Sequence, residues 1–298
     1  MAHESQIRAY SSSGYAMPLP DGHKFPMQKY AGVRNLLEQR GLCILEPARM
    51  DWHHVEAVHQ PEYLKKLRFG TLSSKETRLL GFPWSEQMVE RALRAAGGTF
   101  LAAQDALRCG LGINLAGGTH HAYPDHGEGF CVLNDVAIAI EVLQLERALV
   151  LDLDVHQGNG TAFIFADNPK VFTLSVHGER NYPFRKERSS LDLGLLDGVP
   201  DHEYLALLET RVLPVVQDFC PQLIFYLAGV DVLANDQFGR FALSLEGAMA
   251  RDACVFGFCR KNNFPVVSLM AGGYNKKLET TIVAHANTVL AALEVFAA

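Results

Sequence analysis

The 298-residue sequence has no apolar run of the ~18 residues needed to cross a bilayer. Its N-terminal stretch 1–20 is polar and Ser-containing, without the apolar segment of a secretory signal. Cysteine is sparse and unpatterned: Cys43, Cys109, Cys131, Cys220, Cys254 and Cys259 form no C-x-x-C pair and no disulfide-framework spacing. They read as reduced, mostly buried thiols of a cytoplasmic protein. Clustered positive charge is missing too. The formal net charge is -6, and the densest basic run, Arg185-Lys186-Glu187-Arg188, reads as a solvated loop, so direct nucleic-acid binding is excluded as a function class. No Pro/Gly/Ser-rich linker, low-complexity tract or repeat divides the chain, and one domain over 1–298 is expected. The sequence carries no signal for an oligomeric state.

What is present is an ordinary globular composition, 48% hydrophobic and 20% charged, with short β-rich apolar runs alternating with longer helical patterns. That alternation predicts a parallel sheet with crossover helices. Strands are expected at 42–45, 112–115, 148–153, 171–176, 223–227 and 266–270. Several are apolar on both faces, as when helices cover both sides of a sheet. Helices are expected at 27–39, 85–108, 135–145, 202–219, 245–261 and 278–295. Gly97-Gly98 inside the second marks either close packing or a break.

Polar motifs follow these strands. The run 151–160 is an apolar strand ending in Asp152-x-Asp154-x-His156, and strand alternation projects the three side chains to one side. Crowding them behind a core strand is costly unless a metal ion neutralises them. Oxygen and imidazole ligands suit zinc or another borderline divalent metal such as Fe2+. Asp231, which follows strand 223–227 through Gly229, is the natural third ligand, leaving positions open for water and a substrate oxygen. Asp152 sits one pleat deeper, suited to orienting an imidazole. The candidate imidazoles are the tandem His120-His121 after Gly117-Gly118-Thr119. Two histidines beside a metal suit acid/base work, one staying charged while the other moves the proton. Tyr274, after Gly272-Gly273, is placed to donate a hydrogen bond to a developing oxyanion. His53-His54 and His59 have no strand to aim them and read as surface or packing residues. Cys131 reads as core, and His177 as a neighbour of the site that does not act. The carboxyl ends of parallel strands form the ligand crevice, so the motifs are expected to converge there.

In order and spacing, Gly117-Gly118-Thr119-His120-His121-Ala122, Gly129-Phe130-Cys131-Val132-Leu133-Asn134-Asp135, Asp152-Leu153-Asp154-Val155-His156, Ala228-Gly229-Val230-Asp231 and Gly272-Gly273-Tyr274 resemble the zinc-dependent histone deacetylase family. The compact length, Asn159, and His23-Lys24-Phe25-Pro26 are most similar to its bacterial and class IV branch. The resemblance implies the arginase-deacetylase fold, a three-layer α/β/α domain on an eight-stranded, mainly parallel sheet. It implies an amidohydrolase acting on acylated lysine, with Asp154, His156 and Asp231 as zinc ligands. His121 would be the general base, His120 with Asp152 its electrostatic partner, and Tyr274 the residue that polarises the amide carbonyl. Gly129, Phe130, Tyr182 and Phe238 would line the acyl-lysine tunnel. A structural K+ would use Asp152, Ser175 and backbone oxygens of Asp154, His156 and Val176, and a second would lie near Phe165 and Val171.

Three positions depart from the family pattern. Asn159 stands where better-known members carry Asp, so His121 is oriented by an amide. Thr119 replaces a Trp, and no match exists for the rim Asp that grips the substrate backbone. Of the alternatives, a dimanganese ureohydrolase needs further carboxylates where this chain has Gly158 and Leu233. A catalytically silent acyl-ligand binder conflicts with a complete set of ligand, His and Tyr positions. Small acylated amines such as acetylpolyamines compete with acyl-lysine, but a polyamine enzyme is expected to carry an acidic gatekeeper where this chain has Phe238, with Asp236 nearby.

Overall fold

A computed structural model describes residues 7–297, so the first six residues of the polar N-terminal stretch lie outside the described residues. Eight strands form one sheet: β1 (Arg8–Tyr10), β2 (Cys43–Leu45), β3 (Leu111–Asn114), β4 (Ala148–Asp152), β5 (Val171–Gly178), β6 (Leu191–Leu195), β7 (Leu223–Leu227) and β8 (Val266–Leu269). Their order is β2-β1-β3-β8-β7-β4-β5-β6, and every pair is parallel. This is the arginase-deacetylase architecture, all parallel where a mainly parallel sheet was expected.

Both sheet faces are dry. Along β4, Leu149 and Leu151 enter one hydrophobic cluster while Ala148 and Val150 enter another. β7 divides in the same way, Ile224 and Tyr226 against Leu223, Phe225 and Leu227. Helices Gln28–Gln39, Leu245–Lys261 and Leu278–Phe296 supply Val33, Leu37, Val255, Phe256 and Val289 to the first cluster. Helices Glu86–Cys109 and Asp135–Leu143 supply Ala102, Ala103, Ala106, Val136 and Ile140 to the second. The result is three layers. Each fully buried aliphatic or aromatic side chain contributes roughly 1.5–3 kcal/mol, which explains why the central strands are apolar throughout.

The helix Glu86–Cys109 runs unbroken through Gly97-Gly98. A side chain at Gly97 would collide with the backbone of Ala48, and one at Gly98 with Asn114, so the glycines serve close packing. The region expected as one helix at 202–219 is three segments: α-helix Asp201–Leu207, a π-helical turn Leu208–Val212, and α-helix Leu213–Phe219. Pro214 lacks an amide hydrogen and crowds the carbonyl four residues back, and the wider turn relieves that conflict.

β1 and β6 were not anticipated. β1 has only three residues, and β6 is a half-exposed edge strand whose Leu-Asp-Leu-Gly-Leu alternation is short. Four short helices, Trp52–Val55, Pro61–Phe69, Ser74–Leu80 and Asn159–Ile164, were also missed. The expectation of mostly buried thiols fails for Cys43, Cys109 and Cys220, which are exposed on an outer strand and at two helix ends; all six cysteines are unpaired. Among the described residues, no helix is long and apolar enough to cross a membrane.

Candidate active site

The four motif-bearing strands, β3, β8, β7 and β4, are consecutive neighbours in the parallel sheet, so their carboxyl ends open on one crevice. Into it come His120 and His121 from beyond β3, Tyr274 from beyond β8, Asp231 from beyond β7, and Asp152, Asp154 and His156 from β4 and its exit.

Strand alternation does not aim the last group, because β4 ends at Asp152. Beyond it the three carboxylates organise the loop. Asp152 Oδ1 accepts the Asp154 N–H at 3.2 Å, Asp154 Oδ1 accepts the His156 N–H at 2.9 Å, and Asp231 Oδ1 accepts the Val155 N–H at 3.1 Å. Asp152 and Asp154 capture amides two residues on, as Asx turns do, while Asp231 clamps the same loop from beyond β7, so the loop is held by the groups the site presents.

Asp154, His156 and Asp231 are buried, with one potential ligand atom from each lying within 4.8 Å of the others. His156 Nδ1 lies 3.0 Å from Asp154 Oδ1 and 3.2 Å from Asp231 Oδ2. The Asp231 Oδ2 atom is buried without a hydrogen-bond donor. Burial and the neighbouring Asp154 raise the Asp231 carboxyl to about 7. Burial also opposes charge on His156, but its contacts with Asp154 and Asp231 prevail and raise it to about 10. Gly229 and Gly272 stand where a side chain would strike the carboxylates of Asp154 or Asp231. Two buried carboxylates and an imidazole, one oxygen unclaimed, fit a divalent cation.

The tandem histidines stay side by side, with ring centres 4.1 Å apart, because the backbone before them bends. Gly117 and Gly118 both have positive φ, 75° and 74°, and Asp135 fixes the bend by accepting the Gly118 and Thr119 amides at 3.0 and 2.8 Å. His120 Nδ1 lies 2.7 Å from Asp152 Oδ2, the pairing expected from the sequence. Burial disfavours charge on His120, yet Asp152 and Asp154 outweigh it and raise its pKa to about 9. His121 behaves oppositely. Burial, reinforced by charge on His120 and His156, pushes it well below the ordinary imidazole value. Its Nδ1 lies 2.6 Å from Asn159 Oδ1. One imidazole is therefore held charged and its neighbour neutral.

Tyr274 is 8% exposed, and burial together with the Asp231 and Asp154 charges holds its phenol well above the usual value, a protonated donor. Its amide donates to Asp236 Oδ2 at 2.6 Å, while Asp236 Oδ1 accepts from Phe238 and Gly239. Asp236 thus faces backbone rather than the mouth of the site.

Gly129, Phe130, Tyr182 and Phe238 line an outer cleft of about 540 Å³ with His121, His156 and Tyr274. An inner cavity of about 80 Å³ continues past His120, Asp154 and Tyr274 toward Met17, Phe25 and Cys131. The His23-Lys24-Phe25-Pro26 motif belongs to this wall: Phe25 packs on Phe82 at 4.9 Å and Phe130 at 5.3 Å, and Lys24 Nζ lies 5.7 Å from the Phe238 ring centre. Ser175 is in register with Asp152, with Val176 next along β5. His177 bonds Ser175 Oγ at 3.0 Å, and buried His59 is satisfied by Tyr123 O and the Asn134 amide.

The roles of four residues of this architecture are not evident from the sequence. Glu128 contacts Asn159 and Tyr182, Asp135 and Asp236 hold backbone amides, and Arg251 donates to the Gly229 carbonyl at 2.7 Å. The available signals were an acid directly before Gly129-Phe130 and the Arg251-Asp252 pair on an apolar helix.

The family model for the histone deacetylase domain matches residues 23–290. The chain belongs to the histone deacetylase family. An uncharacterised protein of Picosynechococcus sp. is 43% identical over 290 residues, covering 95% of this chain and 97% of that one. Histone deacetylase 2 of Arabidopsis thaliana is 31% identical, covering 91% and 76%. The crystal structure of the HDA15 HD domain superposes with a TM-score of 0.80 at 21% identity over 98% of this chain and 89% of that one, showing that this histone deacetylase family member shares its fold.

Proposed function

We propose that the protein is a metal-dependent amidohydrolase that removes acyl groups from acylated lysine, with residues 1–298 acting as one deacetylase domain. The observation that carries this reading is the buried Asp154–His156–Asp231 group with an unclaimed oxygen, facing a neutral and a charged histidine across a cavity. Asp154, His156 and Asp231 would hold zinc, with Fe2+ as the alternative. Such an ion supplies Lewis acidity, acidifying water and polarising the amide oxygen.

The chain's own residues divide the remaining work. His121, neutral and low in pKa, takes a proton from water as it adds to the amide carbon and delivers it to the departing lysine amine. His120, kept charged by Asp152, stabilises the negative charge that develops. The Tyr274 hydroxyl donates to the former carbonyl oxygen. Gly129, Phe130, Tyr182 and Phe238 sheath the aliphatic lysine stem. Asp152 and Ser175, with backbone oxygens of Asp154, His156 and Val176, are assigned a structural K+. Unpaired cysteines support a reducing compartment, the cytoplasm.

Acyl-lysine is favoured over acetylpolyamines because the outer cleft carries Arg78, Arg180 and Arg240. Arg180 and Arg240 share one acid, Asp197, at 3.9 and 3.2 Å, and Asp236 is turned inward, so a polycation meets repulsion. Turnover of acetyl-lysine peptide, long fatty-acyl-lysine peptide and acetylputrescine tests this; preference for acetylputrescine overturns it. Tyr274→Phe tests the mechanism. Its kcat falls by roughly 10²–10³-fold with KM nearly constant, because the lost hydrogen bond strengthens as charge develops. An unchanged kcat removes Tyr274 from the chemistry.

A further inference from the structure

Behind His121, on the far side of Asn159, lies a carboxylate with no place in the mechanism above. Glu128 is 8% exposed, and its Oε1 accepts from Asn159 Nδ2 at 2.6 Å and from the Tyr182 hydroxyl at 2.7 Å. Asn159 Oδ1 in turn lies 2.6 Å from His121 Nδ1. Burial would raise the Glu128 pKa, but its contacts with His126, Asn159 and Tyr182 prevail and hold it below the usual carboxylate value.

The chemistry of the three groups fixes the direction of every bond. An ionised carboxylate only accepts, so the Asn159 amide must offer its NH2 to Glu128 and its carbonyl oxygen to His121. That oxygen also only accepts, so the hydrogen of neutral His121 sits on Nδ1 and the lone pair on Nε2, the nitrogen Asn159 leaves free. Reversing the amide would set two acceptors 2.6 Å apart. The Tyr123 hydroxyl, 3.2 Å from Asn159 Nδ2, can donate as well as accept, so without Glu128 the amide can face His121 either way round and would accept either tautomer.

We propose that Glu128 is a positioning residue that locks the Asn159 amide and, through it, the His121 tautomer with a free Nε2 lone pair. It supplies at one remove the negative charge that an Asp at position 159 would place directly beside the histidine. Tyr182 ties the same carboxylate to the tunnel wall, so one buried acid aligns the base with the channel that delivers the amide. This inference rests on reading His121 as the general base.

The test uses the zinc-loaded protein and two readouts, the ¹⁵N shifts of the His121 ring, assigned against His121→Ala, and steady-state turnover of an acetyl-lysine peptide. Wild type is expected to show a neutral ring protonated on Nδ1. In Glu128→Gln the new amide can donate as well as accept; the ring moves to mixed tautomers and kcat falls roughly 10–100-fold with little change in KM. Asn159→Asp alone presses two carboxylates together and is slow. Glu128→Gln combined with Asn159→Asp restores an acceptor beside Nδ1 and a donor behind it, and recovers both the Nδ1–H signal and most of kcat. Tyr182→Phe leaves the tautomer in place, separating the relay from the wall. A Glu128→Gln protein with the wild-type tautomer and kcat overturns the inference, as does a double variant no faster than Asn159→Asp. If the deacetylase reading itself fails, no variant turns over peptide while the tautomer shift in Glu128→Gln still appears, so the two failures are distinguishable.

Discussion

Two buried polar clusters share the backbone around residues 153 and 229, and they solve burial differently. In one, Arg251 lies 2.8 Å from Asp252, whose carboxylate also accepts from Tyr226 and Thr288, while Arg251 donates to the Gly229 carbonyl. Charge is matched, and each Asp252 oxygen has a donor. In the other, Asp154 and Asp231 face a single imidazole, and Asp231 Oδ2 has no donor. The first cluster balances one cation against one anion; the second sets two carboxylates against one imidazole. Burial of polar groups alone therefore does not mark a functional centre, whereas buried carboxylates in excess of their cationic partners do.

The sharpest way to break this contrast is to remove a member of the unbalanced cluster. Asp231→Ala loses the metal and slows turnover by at least roughly 10³-fold, several kcal/mol of barrier. Metal content and kcat on one sample check this, and a metal-replete active variant refutes the ligand assignment. Next in size is the balanced cluster. Arg251→Met leaves Asp252 buried and unpaired and destabilises the fold by about 3–5 kcal/mol, read from urea unfolding. Arg251→Met combined with Asp252→Leu recovers part of that loss, since removing both charges costs less than stranding one.

A smaller effect separates histidines with carboxylate partners from those without. Burial lowers His59 to about 4, against 6.5 for an exposed imidazole. Below pH 6.5 the unfolded chain therefore binds more protons than the native one, and stability falls as pH drops from 6.5 toward 4. His59 accounts for about 3 kcal/mol of that fall at 1.36 kcal/mol per unit. Unfolding free energies across this range, flatter in His59→Gln, test it. The smallest effect belongs to the exposed arginines at the mouth. Acetyl-lysine peptides flanked by Asp or Glu turn over a few-fold better than Lys-flanked ones, and roughly 0.5 M salt erases the difference. A salt-independent preference would place its cause elsewhere.

The parts of the site legible in sequence are those that leave strand ends in order: Asp152, Asp154, His156, Asp231, His120, His121 and Tyr274 each follow an apolar run, and short Gly-rich turns bring four of them into place. Five inner strands, β3, β4, β5, β7 and β8, were legible for the same reason, and the outer strand β2 through its short apolar run. β6 was not, because an edge strand buries one side only, and β1 is too short to carry a period. Glu128 and Asp236 stayed hidden because their meaning lies in partners 31 and 38 positions away, Asn159 and the Tyr274 amide. The break in 202–219 was legible in principle at Pro214, but apolar periodicity runs straight across it. The direction of Asp154 and His156 was anticipated for the wrong reason, since Asx-type bonds rather than strand pleating aim them.

Gly229 and Gly272 close the metal-ligand group on its protein side, since neither leaves room for so much as a methyl group beside the carboxylates. If the proposed function holds, an ion arriving there or leaving would share the corridor past Tyr182 and Phe238 that the acylated side chain would use. Occupancy of that corridor would then act as a kinetic lock. A tunnel-filling ligand slows extraction of the ion by a chelator even where it leaves the ion's equilibrium affinity untouched.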